Sequence, residues 1–142
     1  MLTARHDLKV FIADDSSLMR ERLAAAISDI DNVELVGQAV NVQEAIEAIL
    51  RVKPDVVILD IRMPGGSGLQ VLEQVKAGPS PPTVIILTAF PLLQYRKRSE
   101  ALGAEYFFDK PSDFDRLGEV LKQLAAKKAA PAAGNPRGGI VS

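Results

Sequence analysis

The chain has 142 residues, 47% of them hydrophobic and 25% charged, with a formal net charge of -1, one histidine and no cysteine. This composition is ordinary for one globular domain, excludes disulfide bonds and thiolate metal sites, and gives no indication of a nucleic-acid-binding surface. Because no apolar run approaches the ~18 residues of a membrane span and the polar N-terminal arm (residues 1–7, with His6) lacks the apolar core of a signal peptide, we expect a cytoplasmic protein.

Short apolar strands alternate with amphipathic helices in the first part of the chain. Residues 8–13 predict a first strand, after which Ser16 or Ser17 can cap a helix. Residues 33–40 predict a second strand, and Pro54 stops the helix that follows it. Apolar residues at helical spacing indicate these two helices, namely Leu23, Ala26, Ile27, Ile30, Val42, Ala45, Ile46, Ile49 and Leu50.

The third predicted strand is Val56–Leu59. It is a continuous apolar run, rich in β-branched residues and too short for a helix, which is typical of a strand buried on both faces of a parallel sheet. The run ends in a carboxylate, Asp60, and Pro64 with three glycines then forces a loop. Ligands of open α/β sheets bind at the carboxyl ends of strands, so Asp60 lies where such sheets usually place their chemistry.

The second half of the chain continues the alternation. A third helix is predicted before Gly78 and the proline-rich residues 79–82, and residues 83–87 form a fourth strand that leads to Thr88. A basic helix over residues 92–102, with Gly103 at its end, precedes a fifth strand over residues 106–108. Asp113 can cap a last helix, whose inward stripe is Leu117, Val120, Leu121 and Leu124.

The elements therefore predict a single α/β domain over residues 8–127. Five consecutive strand–helix units indicate a doubly wound parallel sheet with helices on both faces. Residues 128–142 are rich in alanine, proline and glycine and are predicted to be a disordered tail.

Polar residues follow four of the five predicted strands. They are Asp14 and Asp15 after the first strand, Asp60 after the third, Thr88 after the fourth and Lys110 after the fifth. Three carboxylates without histidine or cysteine are suited to Mg²⁺, and one of them can serve as a nucleophile toward a phosphoryl group. Lys110 and Thr88 can then bind the phosphoryl oxygens, so that catalysis consists of positioning and charge neutralisation.

This set of residues closely resembles the receiver domain of bacterial two-component response regulators, and the resemblance covers about residues 8–127. The motifs that carry it are Asp14-Asp15, Asp60 with Met63-Pro64 and Gly68, Thr88-Ala89 and Lys110-Pro111. The resemblance implies a flavodoxin-like strand order 2-1-3-4-5. It also implies that a histidine kinase or phosphotransfer protein supplies the phosphoryl group, and that the chain is a switch rather than an enzyme acting on a metabolite.

The resemblance assigns a role to each site residue. Asp60 is the expected phosphoacceptor, while Asp14, Asp15, Asp60 and the backbone carbonyl of Arg62 are the expected Mg²⁺ ligands. Thr88 and Phe107 are the expected switch pair, although Phe107 is equally well explained as a core aromatic residue. Tyr106 should face the opposite side of the sheet.

Two bulky residues, Arg62 and Phe90, occupy positions that in this family flank the path of the hydrolytic water. We hypothesise that Arg62 shields the phosphoryl group and slows its loss; the alternative is a solvated arginine. The basic helix, with Arg96, Lys97 and Arg98, is either a solvated face or part of a partner surface.

Three functions remain open on the sequence. The first is a phosphorylated switch that binds a downstream protein or a second copy through the fourth helix, fifth strand and fifth helix. The second is a Mg²⁺-dependent phosphatase that passes through an aspartyl phosphate. Arg62 counts against this function, because such enzymes usually have a second acid two residues after the nucleophile. The third is a binding module that has lost phosphorylation, although every required side chain is present.

Overall fold

The alternation of apolar strands and helices produces one layered α/β fold in the computed structural model, which describes residues 7–129. In chain order the elements are β1 (Leu8–Ala13), α1 (Ser17–Ser28), β2 (Val33–Ala39), α2 (Val42–Val52), β3 (Val56–Leu59), β4 (Arg62–Met63), β5 (Gly66–Ser67), α3 (Gly68–Lys76), β6 (Thr83–Thr88), α4 (Leu93–Ala101), β7 (Tyr106–Asp109) and α5 (Phe114–Ala129).

The main sheet has five parallel strands in the order β2-β1-β3-β6-β7. This confirms the expected order 2-1-3-4-5, because β4 and β5 form a separate hairpin outside the sheet. The carboxyl ends of β1, β3, β6 and β7 are therefore neighbours along one edge, which is the edge where the sequence places its polar residues.

The sheet is covered on both faces, as a parallel sheet requires. One hydrophobic cluster lies between the sheet and α2, α3 and α4, and a second lies between the sheet and α1 and α5. Residues that alternate along a strand belong to opposite clusters: Phe107 packs in the first, whereas Tyr106 and Phe108 pack in the second. The prediction that Tyr106 faces away from Phe107 is confirmed.

The hairpin of β4 and β5 was not predicted. Its two strands are antiparallel, with Arg62 opposite Ser67 and Met63 opposite Gly66. Pro64 and Gly65 form the turn, and Gly65 has a φ of 90°, a conformation that glycine adopts without steric cost. Two-residue strands carry too little hydrophobic pattern to be recognised, so the sequence showed only a loop here.

Helix ends differ modestly from expectation. Ser16, one of the two candidates, caps α1 by accepting a hydrogen bond from Met19 N. Helix α5 continues to Ala129, two residues into the predicted tail, and its Lys128 Nζ lies 2.6 Å from Asp55 Oδ2. Lysines in the last turn also interact favourably with the helix dipole.

The rest of the predicted tail lies outside the described residues, as do His6 and the rest of the N-terminal arm except Asp7. Within residues 7–129, no helix combines the length and apolar character needed to cross a bilayer.

Candidate functional site

The five predicted site residues lie together at the carboxyl edge of the sheet. Asp14 and Asp60, which directly follow β1 and β3, are 2% and 6% exposed, and Thr88 at the end of β6 is completely buried. Asp15 is exposed at the rim, and Lys110 reaches into the site from the loop after β7. Carboxylate oxygens of Asp14, Asp15 and Asp60 all lie within 4.8 Å of one another.

Lys110 joins the two buried carboxylates. Its Nζ lies 2.9 Å from Asp14 Oδ2 and 2.8 Å from Asp60 Oδ2. The lysine is held in place by its own backbone, because Lys110 N donates to the carbonyl oxygen of Thr88 at 2.9 Å. One ammonium group, paired with two of the three clustered carboxylates, leaves the site with excess negative charge.

The backbone fixes the orientation of both buried carboxylates. Asp14 Oδ1 accepts a hydrogen bond from Ser16 N at 2.9 Å, and Asp60 Oδ1 accepts one from Ile61 N at 2.7 Å. Gly68 packs directly on the backbone of Asp60, so that a Cβ at this position would overlap the Asp60 carbonyl oxygen. The glycine that the sequence marked only as part of a motif is thus required by close backbone approach.

Burial shifts the pKa values of Asp60 and Lys110. Desolvation raises the pKa of the Asp60 carboxyl above its usual value, the charge of Asp14 raises it further, and Lys110 offsets only part of this effect. Burial acts to lower the pKa of Lys110, but its hydrogen bonds to Asp60 and Asp14 outweigh desolvation and raise that pKa overall. Lys110 therefore remains a cation, and the Asp60 carboxyl, whose pKa is raised, is costly to ionise.

The donor set fits a hard divalent cation. Three carboxylates within 4.8 Å repel one another, and a site with excess negative charge and oxygen donors is the kind that Mg²⁺ occupies. Asp15 is exposed at the rim, which leaves the cluster open toward solvent and lets a cation keep several water ligands. The residues present can therefore hold the ion that the sequence predicts.

Thr88 and Phe107 lie on adjacent strands behind the carboxylates. Thr88 Oγ1 accepts a hydrogen bond from Phe90 N at 3.1 Å, which leaves its hydroxyl proton available to an acceptor. Phe107 is 7% exposed and pairs with Ile86 in the β6–β7 register, two residues before Thr88.

The rim of the site contains contacts that the sequence did not reveal. The exposed Arg62 side chain stacks on Phe90, with its Cζ 4.2 Å from the ring centroid. A cavity of about 400 Å³ beside them is lined by Asp15, Ser67 and Tyr95, among others. Tyr95 belongs to α4, and nothing in its sequence context marks it as a neighbour of the site.

Comparisons with known proteins agree on one family. The family described as "Response regulator receiver domain" matches residues 10–122. The chain is similar to a positive alginate biosynthesis regulatory protein of Pseudomonas aeruginosa, with 38% identity over 136 residues, covering 89% of this chain and 54% of that protein. It is similar to YvfU of Bacillus subtilis, named an uncharacterized transcriptional regulatory protein, with 34% identity over 121 residues, covering 85% of this chain and 60% of that protein. The chain thus spans little more than half the length of these curated relatives.

A solved structure gives the same result. The signal receiver domain of a DNA binding response regulator protein (merR) from Colwellia psychrerythraea has 31% identity and a TM-score of 0.76, covering 83% of this chain and 98% of that one.

Proposed function

Since this chain belongs to the family of response regulator receiver domains, we propose that Asp60 accepts a phosphoryl group and that the phosphorylated chain presents an altered partner-binding surface. The observation that carries this proposal is the bridge of Lys110 between Asp14 and Asp60 inside a cluster of three carboxylates. Such a pocket combines a nucleophile, a cation and a place for a divalent ion, as aspartyl phosphate chemistry requires.

Asp60 acts as the nucleophile. One of its carboxylate oxygens attacks the phosphorus of a phosphohistidine on a histidine kinase or phosphotransfer protein. The new O–P bond forms as the P–N bond breaks, and the imidazole leaves with the bonding electron pair. Because burial raises the pKa of Asp60, the nearby ammonium of Lys110 is needed to keep the carboxylate ionised and reactive.

Asp14, Asp15, Asp60 and the backbone carbonyl of Arg62 would hold Mg²⁺. The bound ion would neutralise charge on the phosphoryl oxygens during transfer. The protein's own contribution is to orient these ligands: Ser16 N holds the Asp14 carboxylate, and Ile61 N holds that of Asp60.

Lys110 and Thr88 bind the transferred group. The ammonium of Lys110 already lies 2.8 Å from Asp60 Oδ2, so it contacts an oxygen of the group that forms there. The Thr88 hydroxyl donates its free proton to another phosphoryl oxygen. A movement of Thr88 toward Asp60 would change the space beside the buried Phe107 ring, which lies on the adjacent strand. Signal is thereby passed from the pocket to β7.

The partner-binding surface comprises α4, β7 and α5. Arg96, Lys97 and Arg98 are exposed on α4 and would contact acidic groups on a downstream protein or on a second copy of the chain. A surface that Thr88 and Phe107 control can exist in two arrangements, and phosphorylation shifts the population between them.

Intact-mass spectrometry after exposure to acetyl phosphate tests the proposal. We expect the mass of one phosphoryl group per chain in the presence of Mg²⁺, little without it, and none in the Asp60→Ala variant. Continuous hydrolysis of small phosphate esters without a stable phosphorylated chain would instead support the phosphatase. A chain that is never modified would support the binding module. Size-exclusion chromatography of the product then shows whether phosphorylation drives dimerisation.

A further inference from the structure

Helix α4 is weakly attached to the rest of the domain. Its N-cap residue, Leu92, makes no side-chain capping hydrogen bond, and Ser99 is its one buried residue. Leu92 and Leu93 at its start are 46% and 64% exposed. A helix without a side-chain cap, whose apolar contact with the core is the partly buried Tyr95, receives little stabilisation from packing, so its position depends on few contacts.

One of those few contacts joins α4 to the proposed switch residue. The guanidinium carbon of Arg96 lies 4.6 Å from the centroid of the Phe107 ring. Stacking of a guanidinium on an aromatic face is attractive, and here it connects the first turn of α4 to the middle of β7. Arg96 thus holds α4 against the ring whose movement the proposed function requires.

The α4–β7 junction also contains unsatisfied polar atoms. Among the described residues, the buried side-chain atoms without a hydrogen-bond partner are Ser99 Oγ on α4 and Asp109 Oδ1 at the end of β7. A buried carboxylate oxygen without a partner is costly, so Asp109 Oδ1 can accept a hydrogen bond from a donor that approaches it. No comparable atoms occur elsewhere in residues 7–129.

Asp109 is placed to receive Arg96. It lies two residues after Phe107, so both side chains leave the same face of β7, roughly 7 Å apart along the strand. The first turn of α4 begins at the same edge of the sheet at which β7 ends, because α4 follows the carboxyl end of β6. A rotation of the long arginine side chain about its stem covers such a distance.

We propose that Arg96 is a two-position latch: it stacks on Phe107 in the unphosphorylated chain and pairs with the free Asp109 oxygen once the ring has moved. This inference rests on the proposed function, and it deepens that function by naming what holds α4 in each state. The latch lowers the free-energy cost of moving the Phe107 ring, because the Arg96 guanidinium loses its contact with the ring and gains one with Asp109.

Hydrogen–deuterium exchange of the unphosphorylated protein tests the first position. Arg96→Gln should speed exchange of the α4 amides by roughly two- to fivefold, the effect of losing an exposed cation–π contact, while amides of β1 remain unchanged. The matched control is Arg22→Gln, which removes an arginine at the same 4.6 Å from Phe114 and leaves α4 untouched. Unchanged α4 exchange in Arg96→Gln would overturn the latch.

Titration with beryllofluoride and Mg²⁺, a stable stand-in for the phosphoryl group, tests the second position. In the wild-type background, Asp109→Asn should raise the beryllofluoride concentration at the midpoint of the titration about two- to fivefold. In the Arg96→Gln background, the same substitution should leave that concentration unchanged. The same shift in both backgrounds, or none in either, would refute the pairing. If the wild type does not respond to beryllofluoride at all, both the proposed function and the latch are contradicted. If it responds but the effect of Asp109→Asn does not depend on Arg96, only the latch is contradicted.

Discussion

Replacing Lys110 by methionine should destabilise the domain in a way that Mg²⁺ reverses. The substitution keeps the length and apolar stem of the side chain and removes the one ammonium that bridges Asp14 and Asp60. Two buried carboxylates would then face each other without a cation, in a cluster that already includes Asp15.

The expected magnitude follows from the burial of the three groups. The side chains of Lys110, Asp14 and Asp60 are 13%, 3% and 7% exposed, so solvent screens their interaction poorly. Removing one partner of a buried ion pair costs about 3 kcal/mol, because the remaining charge stays desolvated. In a domain of this size that corresponds to a fall in melting temperature of roughly 12 °C.

Urea unfolding followed by circular dichroism, at neutral pH and low salt, measures the effect with a chelator or with millimolar Mg²⁺ present. We expect the ion to stabilise the variant more than the wild type, since it replaces the missing cation. Lowering the pH should also restore stability to the variant. The pKa of Asp60 is already raised, and loss of Lys110 raises it further. A carboxyl with a raised pKa favours the folded state at low pH, and it loses that contribution as the pH rises through its folded-state pKa.

Lys76→Met is the matched control. Lys76 is equally buried, at 14% exposed, and its Nζ lies 2.8 Å from Glu105 Oε2, a residue remote from the carboxylate cluster. Its loss should destabilise the protein less, because Glu105 is 44% exposed, and Mg²⁺ should not repair it. If Mg²⁺ stabilised both variants equally, or if Lys110→Met were as stable as the wild type, the electrostatic account of the pocket would be wrong.

Three further substitutions probe the site. Gly68→Ala should cost about 2 kcal/mol in urea unfolding and slow phosphorylation, because its Cβ overlaps the Asp60 carbonyl, whereas Gly78→Ala, where a Cβ meets nothing within 4 Å, should do neither. Asp60→Asn should stabilise the metal-free protein at neutral pH, an advantage that shrinks as the pH falls toward the usual carboxyl pKa; a less stable variant would contradict the raised pKa of Asp60. Arg62→Asn should speed loss of the acyl phosphate severalfold, since it removes the side chain stacked on Phe90, and equal lifetimes would leave Arg62 as a solvated arginine.

The sheet was predictable because its strands carry strong local signals. Val56–Leu59 is apolar at every position and is buried at every position, as a central parallel strand must be. The edge convergence of Asp14, Asp60 and Lys110 was predictable for a related reason, since each directly follows a strand and parallel strands end at one edge.

Contacts between side chains on different elements were not predictable. The stacking of Arg96 on Phe107 joins residues that are far apart in sequence, and neither has a pattern that names the other. Helix α4 shows the same limit: its basic composition indicated a solvated or partner-binding face, but the missing cap and the unpaired Ser99 hydroxyl depend on how the helix sits against β7. Pairing of this kind is decided by tertiary packing rather than by local sequence.

Borohydride reduction of the chain after treatment with acetyl phosphate locates the phosphoryl group most directly, because it converts a phosphorylated aspartate to homoserine that peptide mass spectrometry can place. We expect homoserine at position 60 alone, formed only when Mg²⁺ was present. Homoserine at position 14 or 15, or its formation at position 60 without a divalent cation, would contradict the assignment of Asp60 as the acceptor in a metal-dependent pocket.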